Sequence, residues 1–136
     1  MNTLFLMVGI SGSGKSVFGA KLAGALAIPR ISSDDIRGEL CNGDMTDQSK
    51  NYQVFQTVYD RTRNSLRVYG KVVVDATNKS IKERKEFRKI AVEHGAQVIA
   101  VIMATNYPDC LTMNAKRDRV VPNHVIERQN NQLVIP

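Results

Sequence analysis

Residues 9–16 read GISGSGKS, and every constrained position fits the pattern of glycine, four variable residues, glycine, lysine, and serine or threonine. Loops of this kind surround phosphate groups with backbone amides, and glycine permits the positive φ angles and the close approach that this requires. The pattern therefore predicts a binding site for a nucleoside triphosphate. Seven residues supply the predicted contacts: Gly9, Ser11, Gly12, Ser13, Gly14, Lys15 and Ser16.

Two side chains of this loop have separate predicted roles. Lys15 supplies a cation for the β and γ phosphates, and the Ser16 hydroxyl is a ligand for Mg²⁺. The unpaired amides and the positive dipole end of the following helix also attract the anion. The expected ligand is ATP together with Mg²⁺.

The sequence on either side of the loop supports this interpretation. Residues 4–8 form an apolar run that is typical of a buried strand, and residues 17–27 suit a helix. The motif needs this order of strand, loop and helix, which a glycine turn in an unrelated protein would not explain. A dinucleotide-binding loop is disfavoured because Val17 replaces its third glycine, although Asp34 lies at a plausible distance for a ribose contact.

Length and composition narrow the class of protein. The 136 residues suit one domain, and 43% hydrophobic with 24% charged residues is ordinary for a globular protein. We expect no room for the helical lid domain of a large ring-forming ATPase. The two cysteines, Cys41 and Cys110, lie too far apart in sequence to suggest a metal site, so a reducing, cytoplasmic setting is expected.

The N-terminal apolar stretch is short and has no basic leader, so we expect neither a signal peptide nor a membrane span. The net charge of +6 favours polyanionic partners, because it attracts them from solution. The sequence leaves the oligomeric state open.

Helical and strand patterns alternate along the chain, which favours a three-layer α/β sandwich with a parallel sheet of about four strands. Beyond the first strand and helix, we expect strands at 28–31, 71–75 and 97–103, and helices at 32–40, 49–69, 108–117 and 122–131. A further helix should run from the capping box of Ser80 and Glu83 to Gly95.

Several conspicuous side chains have ordinary structural interpretations. In the helix at 49–69, six residues recur at steps of three and four, and the aromatic ones among them are interpreted as core residues, not as base-stacking groups: Tyr52, Phe55, Tyr59, Thr62, Leu66 and Tyr69. His94 is expected at a helix end. The stretch at 79–89 contains six cations and two anions, and a solvated helix face is favoured over a nucleic-acid contact.

Ligands of open parallel sheets bind beyond the carboxyl ends of the strands, where the glycine loop, the SSDDIR segment at 32–37 and Asp75 should converge. Asp75 ends the run KVVVD, as expected for a carboxylate that holds Mg²⁺ opposite Ser16, directly or through water. Asp34 and Arg37 are one helical turn apart. Phosphoryl transfer to an alcohol needs such a pair, a carboxylate that accepts the proton and a guanidinium that neutralises growing charge.

The alternative for this segment is purely structural, with Asp34 and Asp35 complementing the helix dipole and a serine capping the helix. A second basic segment, with Lys116, Arg117 and Arg119, precedes Pro122. Such a run is usually a solvated patch, but a lid at this position would bring an arginine onto the phosphates and exclude water.

Together, GISGSGKS, SSDDIR, VVVDATN and NAKRDRVVPNHVI resemble, in order and spacing, the P-loop kinase module of phage-type polynucleotide 5′-hydroxyl kinases. The wider group is the small zeta-toxin-like and AAA-like P-loop kinases, and the match spans nearly the whole chain. The resemblance implies a P-loop NTPase fold and ATP-dependent phosphorylation of the 5′-hydroxyl ends of DNA or RNA, with a role in nucleic-acid repair.

The resemblance also implies roles for individual residues. Lys15 and Ser16 would bind the donor. Asp34 would be the general base and Arg37 would bind the reacting phosphate. Arg117 would be the catalytic lid arginine that also contacts the nucleotide.

The chain departs from the family pattern at two places. Met113 replaces the leading arginine of an R-N-x-x-R element, so the lid role stays open between Arg117 and Arg119, which are both expected nucleotide contacts. Ser33 replaces an arginine that is frequent in relatives, which changes the expected acceptor contacts. We expect no 3′-phosphatase activity, because the chain ends before a domain with a D-x-D motif.

Two other functions stay open. A small-molecule kinase that acts on a sugar, nucleoside or activated amino sugar would share all the donor residues. A nucleotide-binding module without transfer chemistry is less well supported, because the N-K-x-D element of GTP switches is absent: Asn78 and Lys79 are followed by Ser80 and Ile81.

Overall fold

The computed structural model describes residues 1–117 and 120–136. Within these residues strands and helices alternate as expected for an α/β protein. In chain order they are β1 (Thr3–Val8), α1 (Lys15–Leu26), β2 (Arg30–Ser32), α2 (Ser33–Leu40), α3 (Asn51–Tyr69), β3 (Lys71–Asp75), α4 (Ile81–Glu93), β4 (Gln97–Ile102), α5 (Tyr107–Ala115) and α6 (Asn123–Gln132).

The sheet contains four parallel strands in the order β2-β3-β1-β4. The fold prediction is therefore confirmed. The register places Leu4 of β1 opposite Val72 of β3 and Val98 of β4. At the other end, Ser32 pairs with Asp75, so the carboxyl ends of β2 and β3 lie side by side.

Apolar side chains pack on both faces of the sheet, which explains why β1 and β3 are continuous hydrophobic runs. The larger cluster joins the sheet to α2, α3 and α4 and includes Leu4, Leu6, Ile36, Val54, Val58, Leu66, Val72, Val74, Phe87, Ile90 and Ala91. On the opposite face Met7 and Val73 pack with Ala23 of α1. The packing of these residues holds the helices against the sheet, and the functional groups converge at the carboxyl edge of that sheet.

The predicted capping box of α4, the position of His94 at the end of α4 and the end of α3 at Gly70 are confirmed. The Ser80 hydroxyl accepts a hydrogen bond from Glu83 N at 3.1 Å, and Glu83 in turn accepts one from Lys79 N at 3.2 Å. Gly70 ends α3 with φ +76°. His94 caps α4, with its Nδ1 2.9 Å from the Ile90 carbonyl oxygen.

Several element boundaries differ from the prediction by one or more residues, and three of them illustrate why. β2 begins at Arg30, because Ala27 takes the left-handed conformation at the end of α1 and Pro29 has no N–H for a strand ladder. α3 begins at Asn51 instead of residue 49. α5 begins one residue early, because the Asn106 side chain accepts from Asp109 N at 2.9 Å and caps the helix.

The interpretation of α3 is partly wrong. Tyr52 is 76% exposed and Tyr69 is 61% exposed, so neither belongs to the core. The buried face carries smaller side chains at helical spacing, among them Val54, Val58 and Leu66. The spacing of the aromatic residues fits a helix face, but the smaller Val54 and Val58 occupy the positions that pack on the sheet.

The basic stretch at 79–89 is not a uniformly solvated face. Arg84 is 4% exposed and donates to the carbonyl oxygens of Asn78 at 2.9 Å and Val134 at 2.6 Å. Val134 N donates to the Lys79 carbonyl oxygen at 2.6 Å. The C-terminal residues are thus held against the loop between β3 and α4.

Among the described residues there is no helix with the length and apolar character that crossing a membrane requires.

Candidate active site

The glycine loop connects β1 to α1 at the carboxyl edge of the sheet. Gly9 N donates to the Thr77 carbonyl oxygen at 3.0 Å, which ties the start of the loop to the loop after β3. Gly12 and Gly14 have φ angles of +81° and +88°, and Gly14 is the N-terminal cap of α1. The loop thus uses the left-handed conformation that glycine supplies at low cost.

The loop is supported from behind by α5 and α6. A Cβ atom on Gly12 would lie 2.2 Å from the Cys110 carbonyl oxygen, so this glycine allows two backbone segments to touch. Ile10 is buried in a cluster with Cys110 and Ile126. Burial, followed by the charge of Asp109, raises the pKa of the Cys110 thiol, which favours a neutral packing role.

A cavity of about 170 Å³ adjoins the N-terminus of α1. It is lined by Gly12, Gly14, Lys15, Ser16, Val17, Met113 and Arg117. Five residues predicted to bind the nucleotide are therefore brought together, and Met113 adds an apolar wall. We refer to this space as the donor cavity.

The other predicted loop contacts are placed differently. Ser13 is buried, and its carbonyl oxygen accepts a hydrogen bond from Thr105 Oγ1 at 2.8 Å. Gly9 is at the entrance of the loop, and Ser11 lines a second space. None of these three residues lines the donor cavity.

The second space, the acceptor cavity, has a volume of about 1040 Å³. Lys15 lines both cavities and joins them. Ser11, Asp34, Arg37 and Asp75 also line the acceptor cavity. The predicted convergence of the loop, the start of α2 and the end of β3 is therefore observed.

Asp34 and Arg37 form a close pair on α2. Arg37 NH1 donates to Asp34 Oδ1 at 3.0 Å, and Arg37 NH2 donates to Asn51 Oδ1 at 2.6 Å. The guanidinium is 5% exposed, whereas a third of the Asp34 side chain is accessible to the cavity. Asn51, at the start of α3, thus fixes the orientation of Arg37, and we did not anticipate it from sequence.

Asp75 is held by another arginine. Arg30 donates to Asp75 Oδ2 through NH2 at 2.5 Å and through Nε at 3.2 Å, and its NH1 lies 3.3 Å from Asp35 Oδ2. Asp75 is buried, and this ion pair compensates its charge. Arg30 therefore joins β2, β3 and the start of α2 below the acceptor cavity.

The site fits Mg²⁺ that arrives with a nucleotide better than a preformed metal site. No cluster of three or more His, Cys, Asp or Glu side chains suited to a metal occurs in residues 1–117 and 120–136. Mg²⁺ commonly keeps several waters and binds one or two protein groups plus phosphate oxygens. Ser16 could hold such an ion, and Asp75, whose Oδ2 is engaged by Arg30, could contact it through water.

The outer wall of the acceptor cavity contains both cationic and aromatic side chains. Lys79, Lys82 and Arg128 are the cations, and the Lys79 ammonium group is ion-paired with Glu83, which also lines the cavity. Tyr52, Phe55 and Tyr59 supply the rings. Tyr59 packs edge-on against Phe87 with ring centroids 5.2 Å apart, so the inner end of the aromatic row is fixed in the core.

The segment predicted to form a lid is closed at its base by Asn114. This buried side chain donates to the Val121 carbonyl oxygen at 2.7 Å and accepts from Val121 N at 3.0 Å. Arg117 lines the donor cavity. Arg119 lies outside the described residues.

A further contact connects the glycine loop to α6. Ser11 N donates to Gln129 Oε1 at 2.8 Å. Gln129, Asn51 and Arg30 are the polar residues of the site that sequence reasoning missed. In the sequence, Arg30 is marked only by its charge at the start of a strand. No sequence pattern distinguishes Asn51 or Gln129 from the other amide side chains of polar helices.

A family model described as an AAA domain matches residues 4–136. The chain belongs to the AAA domain family. Its fold is the kinase-type P-loop fold of the solved structures described below.

A protein of the Autographa californica nuclear polyhedrosis virus, described as a candidate bifunctional polynucleotide kinase/RNA ligase, is 29% identical to this AAA domain over 132 residues. The match covers 88% of this chain and 19% of the viral protein, so the chain spans about a fifth of that relative. The resemblance to polynucleotide kinases is confirmed by this match.

Two solved structures illustrate the shared fold. A chain of the Pnkp1/Rnl/Hen1 RNA repair complex matches with a TM-score of 0.81 and 22% identity, over 96% of this AAA domain and 43% of that chain. A gluconokinase from Sinorhizobium meliloti 1021 matches with a TM-score of 0.71 and 21% identity, over 99% of this chain and 77% of its own.

Proposed function

We propose that this AAA domain is a Mg²⁺- and ATP-dependent kinase that transfers the γ-phosphoryl group to the 5′-hydroxyl end of a polynucleotide. One observation carries the proposal: Lys15 of the glycine loop lines the same cavity as Asp34 and Arg37. A donor bound at the loop and an alcohol beside the carboxylate would meet there. The cytoplasm, with its ATP and reducing conditions, is the proposed location.

In the proposed reaction the acceptor oxygen forms a bond to the γ phosphorus while the bond from that phosphorus to the β-bridging oxygen breaks. Asp34 accepts the hydroxyl proton, and ADP leaves. Lys15 and Arg117 neutralise charge on the nucleotide, and Arg37 does so on the transferred group. Bound Mg²⁺ supplies further neutralisation of the phosphates.

Arg37 is suited to this task because its orientation is fixed before the substrate binds. Asp34 and Asn51 hold two of its nitrogens. Its Nε is buried and has no hydrogen-bond partner among the described residues. Arg37 also lines the acceptor cavity, and a preorganised cation at such a place stabilises the charge on a transferring group.

The outer wall of the acceptor cavity supports a polynucleotide acceptor. Lys82 and Arg128 can neutralise backbone phosphates beyond the first nucleotide, Lys79 would do so by leaving its ion pair with Glu83, and Tyr52 presents an exposed ring. A net charge of +6 and the viral relative described as a candidate polynucleotide kinase agree with this choice. A small neutral sugar would use little of this wall.

A small-molecule kinase is the second candidate, and the gluconokinase neighbour favours it. The match to that structure covers 99% of this chain and shows the same fold, but a sequence identity of 21% does not indicate which substrate this chain uses. A third candidate, a nucleotide-binding module without transfer chemistry, would bind ATP and phosphorylate nothing.

The test offers γ-labelled ATP, Mg²⁺ and DNA or RNA oligonucleotides with 5′-hydroxyl or 5′-phosphate ends, with gluconate and nucleosides in parallel. We expect label only on 5′-hydroxyl ends. Asp34→Asn should lower turnover by about 10² to 10⁴ with ATP affinity retained. The matched control is Asp60→Asn, which changes an exposed aspartate on α3 that pairs with Arg63.

Acceptor binding should also weaken steeply with added salt, because each neutralised phosphate releases counterions. Transfer to gluconate or a nucleoside alone would support the second candidate instead. Normal turnover of Asp34→Asn would exclude Asp34 as the base.

A further inference from the structure

The contact between α6 and the glycine loop involves two consecutive loop residues. Ile10 packs on Ile126, and Ser11 N donates to Gln129 Oε1 at 2.8 Å. Ile126 and Gln129 are one helical turn apart, so they project from the same face of α6. The apolar contact fixes the helix against the loop, and the amide completes the contact at its polar edge.

Gln129 contacts the glycine loop and lines the acceptor cavity. It lines the acceptor cavity with Ser11, Asp34 and Arg37 and does not line the donor cavity. Lys15 lines both cavities. If Lys15 holds the β and γ phosphates, a γ-phosphoryl group that faces the acceptor cavity would enter the space that Gln129 lines beside the loop.

The chemistry of the contact fixes which end of the amide points where. A backbone N–H can only donate, so it binds Oε1, and the two donors on Nε2 point elsewhere. The side chain is half-buried and lines the cavity, so these donors are available to a ligand there. A neutral donor at this place attracts a phosphoryl oxygen without forming an ion pair with Asp34.

We propose that Gln129 binds the γ-phosphoryl group, with Oε1 held by Ser11 N and Nε2 donating to a γ oxygen. ADP has no group at this position, so Gln129 favours ATP over ADP. The inference rests on the proposed function only in that the loop binds ATP. It does not depend on the identity of the acceptor.

The experiment measures equilibrium binding of Mg²⁺–ATP and Mg²⁺–ADP to the full chain by calorimetry. Gln129→Glu keeps an oxygen for Ser11 N but replaces the donor with a negative charge beside the γ phosphate. We expect ATP to bind about 10- to 100-fold more weakly to this variant, the size of a lost hydrogen bond to a charged group, and ADP affinity to stay within about twofold. Gln129→Met should lower the ratio of ATP to ADP affinity by about tenfold.

Gln132 provides the matched control, because it is a glutamine one turn further along α6 that lines the same cavity. Gln132→Glu should leave the ratio unchanged. The proposal is overturned if Gln129→Glu keeps the wild-type ratio, or if ATP and ADP weaken equally, which would mean that Gln129 only holds the loop. If Gln129→Met does not fold, the glutamate variant alone decides.

The outcome is separate from that of the transfer assay. A changed ATP to ADP ratio without phosphorylation of any acceptor would support the role of Gln129 and refute the proposed kinase activity. Phosphorylation with an unchanged ratio would do the reverse.

Discussion

Arg37 is nearly inaccessible to solvent, and a guanidinium in such a place is stable only when acceptors surround it. Asp34 supplies one acceptor and Asn51 the other. The Asn51 contact is charge-assisted and short, and it connects the first turn of α3 to Arg37. We therefore propose that Asn51 is a positioning residue that acts through Arg37.

Asn51→Ala should lower turnover by about tenfold or more, because a hydrogen bond to a charged group is worth about 1.5–3 kcal/mol. The KM for ATP should stay unchanged, since Asn51 does not line the donor cavity. Steady-state kinetics with both substrates varied would measure this split. Asn51→Asp, which keeps an acceptor, should recover part of the turnover, and the control Asn64→Ala alters an exposed asparagine of the same helix. Equal turnover of Asn51→Ala and wild type would contradict the role.

The difference between what sequence predicted here and what it missed has a physical origin. Residues of the glycine loop form a continuous pattern, and Asp34 and Arg37 are three positions apart, so local periodicity brings them together. Asn51 reaches Arg37 across 14 positions, and Arg30 reaches Asp75 across 45. Such pairs depend on the packing of whole elements, which a linear pattern does not encode.

One face of helix α3 packs on the sheet, and another contributes to the lining of the acceptor cavity. Its valines and Leu66 pack on the sheet, while an aromatic row runs from the core at Tyr59 to the exposed ring of Tyr52 at the mouth of the acceptor cavity. Periodicity predicted the helix and placed Thr62 and Leu66 correctly on its buried face, but it wrongly assigned Tyr52 and Tyr69 to the core. A 3.6-residue repeat gives spacing, and only the depth of the space above the sheet decides between valine and tyrosine.

Tyr52→Ala should raise the KM for an oligonucleotide acceptor by about tenfold, because stacking on an aromatic side chain is worth about 1–3 kcal/mol per base. Tyr52→Phe should restore it. Tyr69→Ala is the control, since Tyr69 is an exposed tyrosine of the same helix that does not line the cavity. The measurement compares intact oligonucleotides with ones that lack bases near the 5′ end. A loss of the same size with both substrates would rule out stacking.

Nucleotide binding should raise the free energy of unfolding of the whole molecule. The glycine loop shares a buried cluster with α5 and α6, and it ends at Gly14, the N-terminal cap of α1. A ligand that binds the folded chain at 100 times its Kd adds about 2.7 kcal/mol, or about 8 °C in Tm for a domain of this size. Mg²⁺–ATP should produce such a shift in thermal unfolding.

Lys15→Met should remove most of this shift, because Lys15 lines both cavities. Lys21→Met, a change at an exposed lysine of α1, should keep it. A full shift in the Lys15 variant would show that the nucleotide binds elsewhere.

The contact between Gly12 and the Cys110 carbonyl oxygen leaves no space for any side chain at position 12. Two stretches of main chain almost 100 positions apart must therefore match in shape to within a fraction of an ångström. A chimera that combined this loop with the fifth helix of another kinase would have to reproduce that fit. The glycine loop and α5 would therefore have to be exchanged together in any recombination between related kinases.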